Sequence, residues 1–423
     1  MTHHRVIDFF AGILRFFRRG WKTPAGHARR RWANFDKVIA VTGSAGKSCT
    51  TRLIGHCLRT QARANVAFGA NVFSAIVSGL ATSPVNAKFW VQEVSGQSAA
   101  DLRQSADFLR HNVAVITRIE FDHISVHKDL DTTAKSKGQL VEALDEDGLM
   151  VLNADDARVL AMRDLSKARV VTFGRSEAAD IHVVDYTDGL PARLAITVTD
   201  GDQIATIQTR YAGSRWIPNY LAAVACGTAL GIPLHQCAMA LNGTGAELFK
   251  DSIHEWNEIT FMLDTYKSPN WTIPTSLEIV AEANFQRKIM IFGTISDYLG
   301  SAGKKYIKAA RQALEVADLV LFYGANSAHV RKLVPAFEGR LRTFETYDEV
   351  HRYLRQTLGA GDFVYAKASG ADHLERILFS AQFARICIRD RCGRKKACAV
   401  CRHLPASRRP LAGRIYRSAI RQS

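Results

Sequence analysis

Short apolar runs recur along the chain at a spacing that predicts sheets covered by helices. Val38–Val41, Phe89–Val94, Val113–Thr117 and Leu149–Leu152 read as strands, with helical stretches opening at Lys47 and around Thr133–Leu144. A second series follows at Thr260–Asp264, Ile289–Phe292, Leu319–Tyr323 and Phe363–Tyr365, again with helices between. Strands that alternate with helices build mostly parallel sheets. The expected fold class is α/β, divided near Gly245, and no internal repeat is visible.

Ahead of the first strand, Val6, Phe9, Phe10, Ile13, Leu14, Phe17 and Trp21 fall at helical spacing, with Arg15, Arg18 and Arg19 largely off that face. One basic amphipathic helix is predicted, suited to a membrane surface or equally to packing on the protein's own body or another subunit. The length of 423 residues fits two or three domains, and 47% hydrophobic with 23% charged residues excludes disordered, collagen-like and disulfide-scaffold chains.

A net charge of +16 raises nucleic acid, membrane or an anionic substrate as partners. Its distribution changes that picture. Residues 1–37 hold nine Lys/Arg against two Asp, and residues 381–423 hold twelve against one, so the stretch between them is nearly neutral at −2. Cys49, Cys57, Cys226 and Cys237 lie scattered in apolar stretches and imply no oxidised framework. Asp8 and Arg15 interrupt the apolar core a signal peptide would need, and no run of 18 apolar residues occurs, so a cytoplasmic place is expected, with peripheral membrane attachment as an option.

The strand Val38–Val41 runs through Thr42, Gly43, Ser44, Ala45 and Gly46 into a helix that opens with Lys47 and Ser48. Small residues let successive backbone N–H groups face an anion, the helix N-terminus adds its dipole, and Lys47 adds a point charge. Ser48 would place a hydroxyl on a magnesium ion shared with the phosphates. The spacer is shorter than in the usual phosphate loop, but strand before and helix after favour nucleotide binding over a plain structural turn.

Thr42-Gly-Ser-Ala-Gly-Lys-Ser48 resembles the T-G-[ST]-x-G-K-[ST] loop of the Mur ligase superfamily, ATP-dependent enzymes that join a carboxylate to an amino acid or peptide. Further segments follow in the family's order. Glu93 resembles the acidic strand end, and Ile116-Thr-Arg-Ile-Glu-Phe-Asp-His123 the strand ending in Asp-His. Lys137 stands where the family lysine is often carbamylated, and Val151-Leu-Asn-Ala-Asp-Asp156 matches a strand-end signature. Arg215-Trp-Ile-Pro-Asn219 resembles the adenine-contacting segment, Asp264-Thr-Tyr-Lys267-Ser-Pro269 the turn by which the third domain closes on the nucleotide, and Lys367-Ala-Ser369 a segment that helps hold the incoming substrate. The resemblance spans about residues 38–380 and is nearest the D-alanyl-D-alanine-adding branch.

It implies a central phosphate-loop domain over residues 38–245, a C-terminal Rossmann-like domain over 246–380 and an active site in the cleft between them. The domain that grips a UDP-sugar in the peptidoglycan enzymes would precede the loop, where only 37 residues stand, so its absence and a different carboxylate are expected. Arg118, Trp216, Lys250 and Lys267 depart from the family pattern.

Amide formation from a carboxylate needs a leaving group, which ATP supplies through an acyl phosphate. The transfer relies on positioning and charge neutralisation. On the resemblance Lys47 and Lys267 neutralise phosphate charge, Ser48 and Glu93 hold one magnesium, and His123 with a carbamylated Lys137 hold a second. Each has a plainer reading, with Glu93 a solvated edge charge, His123 a loop histidine and Lys137 on a wet helix face. As an ordered set behind a phosphate loop they favour the functional reading. His127 has no claim from its spacing, and Asn153, Asp155 and Asp156 are expected to cap the following helix. A nucleotide-binding protein without catalysis and a basic-ended adaptor are the competing functions.

Cys387, Cys392, Cys398 and Cys401 crowd near the C-terminus with His403, and Cys398-Ala-Val-Cys401 has a metal-knuckle spacing, so zinc is one expectation. The other is an unstructured Arg-rich extension with reduced thiols. The tail's charge would hold an anionic membrane or a polyanion without sequence readout. Tyr416 is the only ring after Phe383, which argues against a stacking platform for single strands.

Overall fold

The computed structural model describes residues 21–84, 86–96, 98–120, 129–390, 392–393, 398 and 401. The amphipathic segment before Trp21, His123, His127, His403 and the basic tail beyond Cys401 lie outside the described residues. Two compact units form. Among the described residues, the first holds those up to Tyr186 with Ala195–Ile207 and Arg215–Asn242, and the second holds Thr187–Leu194, Gln208–Ser214 and those from Gly243.

The strands of the first sheet are β1 (Lys37–Thr42), β2 (Ala64–Ala67), β3 (Phe89–Glu93), β4 (Val113–Ile116), β5 (Leu149–Asn153), β6 (Arg169–Gly174), β7 (Ile181–Thr187), β8 (Ala195–Thr199) and β9 (Ile204–Gln208). Their order is β2-β3-β1-β4-β5-β6-β7-β8-β9, parallel from β2 through β7. β1, β3, β4 and β5 are almost wholly buried, which is what central strands covered on both faces require. Because β1 sits between β3 and β4, the sheet reverses its winding there. In such sheets the crevice beyond the strand ends at that reversal is where ligands bind.

A helix over Lys22–Trp32 packs on this unit, and there the basic side chains find carbonyls. Arg29 donates to Ala81, and Arg30 donates to Phe108 and Leu109. His27 sets its ring edge-on to Phe108.

The second sheet contains β10 (Lys250–Trp256), β11 (Ile259–Asp264), β12 (Arg287–Phe292), β13 (Leu319–Tyr323), β14 (Leu341–Phe344) and β15 (Asp362–Lys367), in the order β10-β11-β15-β12-β13-β14. All neighbours run parallel except β10 against β11. Alternate residues divide between two cores. Met262, Met290, Phe292, Phe322 and Tyr365 enter one, and Phe261, Leu263, Ile289, Ile291 and Val364 the other. The period of two therefore places one apolar layer on each face. No helix among the described residues is long and apolar enough to cross a membrane.

The described part of the segment after residue 380 is not an unstructured extension. Helix Arg376–Gln382 carries the chain into it, Arg376 donates to the carbonyls of Cys387 and Arg389, and Asp390 accepts from the Tyr347 N–H at 2.5 Å.

Candidate active site

Register builds the first site. Val41 lies opposite Glu93 and Thr42 opposite Ile116, so the ends of β1, β3 and β4 stand side by side. The loop leaving β1 turns at Gly43 (φ 142°) and Gly46 (φ 82°), conformations that favour glycine. A side chain has no room at either: a Cβ at Gly43 would lie 2.0 Å from Thr117 Oγ1, and one at Gly46 would lie 2.3 Å from Asn219 Nδ2.

The loop is tied to the strand beside it. The Ser44 N–H donates to the Arg118 carbonyl at 2.8 Å, Ser44 Oγ donates to the Glu120 carbonyl, and Thr117 Oγ1 donates to the Ala45 carbonyl at 2.6 Å. Lys47 Nζ folds back to the Gly43 and Ser44 carbonyls at 2.8 and 3.1 Å. Asn219 Nδ2 donates to the Gly46 carbonyl at 3.0 Å and to Thr50 Oγ1 at 2.9 Å. That amide, expected at adenine, holds the glycine that starts helix Lys47–Leu58.

Ser48 Oγ donates to Glu93 Oε2 at 2.8 Å. The same oxygen accepts from the Gly69 N–H at 2.7 Å, and Oε1 accepts from Asn71 Nδ2 at 2.8 Å. Glu93 is 2% exposed, so it is not a solvated edge charge. Donors on both oxygens satisfy the buried carboxylate and hold its orientation. A hydroxyl beside a fixed carboxylate, next to an anion-facing loop, has the oxygen donors that magnesium takes.

Lys137 is 1% exposed within helix Leu130–Glu142, which rules out the wet-face reading. Only one of the three predicted caps behaves as one. Asp156 accepts from the N–H groups of Arg158 and Val159. Asn153 instead donates to the Thr117 carbonyl at 2.7 Å, and Asp155 accepts from the Arg175 N–H. Arg118, at an expected Asn, forms an ion pair with Glu120 at 3.1 Å.

In the second unit Asp264 and Lys367 end neighbouring parallel strands in register, and the buried Lys367 ammonium pairs with Asp264. Lys267 is exposed, and Lys250 pairs with Glu247 at 2.6 Å and stands over the Tyr266 ring. A cavity of about 1200 Å3 lies in this unit. Glu345, Asp372, Glu375 and Asp390 line it, with no Lys or Arg among its described lining residues. Burial raises the Asp372 carboxyl above its usual range, against N–H and hydroxyl donors from Thr294.

A family profile described as the Mur ligase middle domain matches residues 41–227. A UDP-N-acetylmuramate–L-alanine ligase from Desulfitobacterium hafniense is 23% identical over 363 residues, 78% of this chain and 74% of that protein. Over residues 41–227 the chain is thus similar to the middle domain of the Mur ligases. Other muramate–alanine ligases are matched over 43% to 61% of their own length. The fold of MurF from Acinetobacter baumannii superposes with a TM-score of 0.77 at 20% identity, over 86% of this chain and 80% of that one. MurF from Thermotoga maritima in complex with ADP superposes with 0.72 at 16% identity, over 86% and 83%.

Two parts of the candidate site escaped the sequence. Gly69 acts through a backbone N–H, which no residue pattern announces, and Asn71 sits in a loop after a four-residue strand. The tail cysteines also group differently from the expected set. Among the described residues, the group of three metal-ligating side chains within 4.8 Å is His373, Glu375 and Cys398, without Cys387, Cys392 or Cys401.

Proposed function

We propose that this chain is an ATP-dependent ligase that joins a carboxylate to the amine of an amino acid or peptide. The observation that carries the reading is the Ser48–Glu93 pair at 2.8 Å, beside the loop of Gly43 to Lys47 at the sheet's reversal. In the reaction a substrate carboxylate oxygen attacks the γ-phosphorus and ADP leaves. The amine nitrogen then attacks the acyl carbon, phosphate departs and the amine loses a proton.

Loop N–H groups and Lys47 would hold and neutralise the phosphates, with the glycines giving the backbone its close approach. Ser48 and Glu93 would hold magnesium, and His123 with a carbamylated Lys137 would complete a second site. Bound there, magnesium neutralises charge on the phosphoryl oxygens. Asn219 fixes the loop's shape from behind, so phosphates meet a preformed cradle. Asp264 and Lys267 are proposed for the nucleotide from the second unit. The carboxylate-lined cavity of that unit suits an amine that arrives as ammonium.

The test is phosphate release with ATP, magnesium and an amino-acid panel against candidate acids. Lys47→Ala should abolish it. Glu93→Ala and His123→Ala should lower turnover by about a hundredfold or more while leaving the thermal midpoint much less affected. Full activity in all three overturns the assignment, and full activity in Lys137→Ala excludes the carbamate.

A further inference from the structure

His373, Glu375 and Cys398 bring an imidazole nitrogen, a carboxylate oxygen and a thiol sulfur within 4.8 Å of one another. All three are buried, at 5%, 3% and 6% exposure. His373 and Glu375 stand between β15 and helix Arg376–Gln382, and Cys398 comes from the cysteine-rich segment 23 residues beyond Glu375. Phosphoryl transfer at the loop of the first unit uses none of them.

A buried carboxylate needs strong partners. Glu375 Oε1 has the His373 Nδ1 at 3.3 Å and the Cys398 N–H at 3.1 Å. His373 is held at φ 51°, a left-handed conformation that strains a residue other than glycine and persists where its surroundings fix it. The neighbouring Arg376 guanidinium donates to the backbone carbonyls of His373, Cys387 and Arg389 and lies over the Tyr347 ring, 3.7 Å from the ring centre. His373 and Glu375 also line the cavity, which leaves one side of the group open.

One sulfur, one nitrogen and one oxygen donor suit a borderline divalent cation, whereas magnesium and calcium take oxygen alone. Three protein ligands with an open fourth position is a recurrent zinc arrangement. We propose that His373, Glu375 and Cys398 bind one zinc-class cation whose fourth position faces the cavity, fastening the cysteine-rich segment to the second unit.

The full chain, stripped with chelator and reloaded with zinc or cobalt, tests this. One zinc per chain is expected, and the cobalt form should show thiolate charge-transfer absorption, a readout that needs no variant. Cys398→Ser should remove that absorption, and His373→Gln and Glu375→Gln should weaken zinc binding by about tenfold or more. Cys392→Ser and Cys401→Ser should leave both unchanged. No retained metal, or cobalt bound without the thiolate band, overturns the proposal. So does binding lost in the Cys392 and Cys401 variants but kept in the His373 and Glu375 variants, which would place the ion on the tail cysteines.

Discussion

Glu93 shows how a residue acquires a role that its letter does not carry. A glutamate at a strand end is ordinary; one that is 2% exposed and receives donors from Ser48, Gly69 and Asn71 is fixed in place. The loop and its acidic partner were legible because strand, glycines, Lys47 and Ser48 follow in one short run. The N–H of Gly69 was not, since backbone donors leave no trace in composition. His254 carries a residue-scale prediction. Burial lowers it to about 4 from 6.5, and its Nε2 lies 3.0 Å from Ser252 Oγ. Between those values the unfolded chain takes up a proton that the folded chain refuses. The contribution to stability is therefore complete above pH 6.5 and lost as pH falls towards 4, with each tenfold difference in proton affinity worth about 1.4 kcal/mol. His254→Gln should flatten the fall of the thermal midpoint across that window. An unchanged slope would mean that His254 is protonated in the fold.

Elements divide by how they are buried. β1, β3, β4 and β5 were visible as apolar runs because helices cover both their faces. β7, with four exposed residues at its end, and β10, reading Lys-Asp-Ser-Ile-His-Glu-Trp, offer no such run and went unseen. The antiparallel pair of β10 and β11 is closed by Asn257 and Glu258, with Trp256 opposite Ile259. Both turn residues have positive φ, 48° and 60°, as a type I′ turn demands. Asn tolerates that conformation, whereas Glu pays in Cβ crowding. Glu258→Gly should therefore stabilise the chain by about 0.5–1 kcal/mol, read as a higher urea midpoint with an unchanged slope. A lower midpoint would show that the Glu258 side chain contributes more than its backbone costs.

At the scale of the molecule, the two series of apolar runs suggest a boundary near Gly245, and the second unit also holds Thr187–Leu194 and Gln208–Ser214. Nothing in so short a stretch marks which core it joins. Leu190 and Ala212 are 2% and 1% exposed within a core that includes Phe363 and Tyr365. A fragment starting at Gly243 should be less stable than this unit in the whole chain by at least the about 2–5 kcal/mol of a buried leucine, as followed by chemical denaturation. Equal stability would show that the two excursions are dispensable. The charge also reads differently at this scale, since Arg29 and Arg30 of the basic N-terminal stretch and Arg376 beside the tail bond to carbonyls of their own units. One last consequence follows from Asn219, which holds the Gly46 carbonyl across 173 positions of sequence. On a ribosome the phosphate loop is translated early, yet its support arrives only after eight further strands and the start of helix Ile217–Ala229 have been made. A nascent chain therefore carries the whole loop for most of the first unit's synthesis before it gains the side chain that holds Gly46 in place.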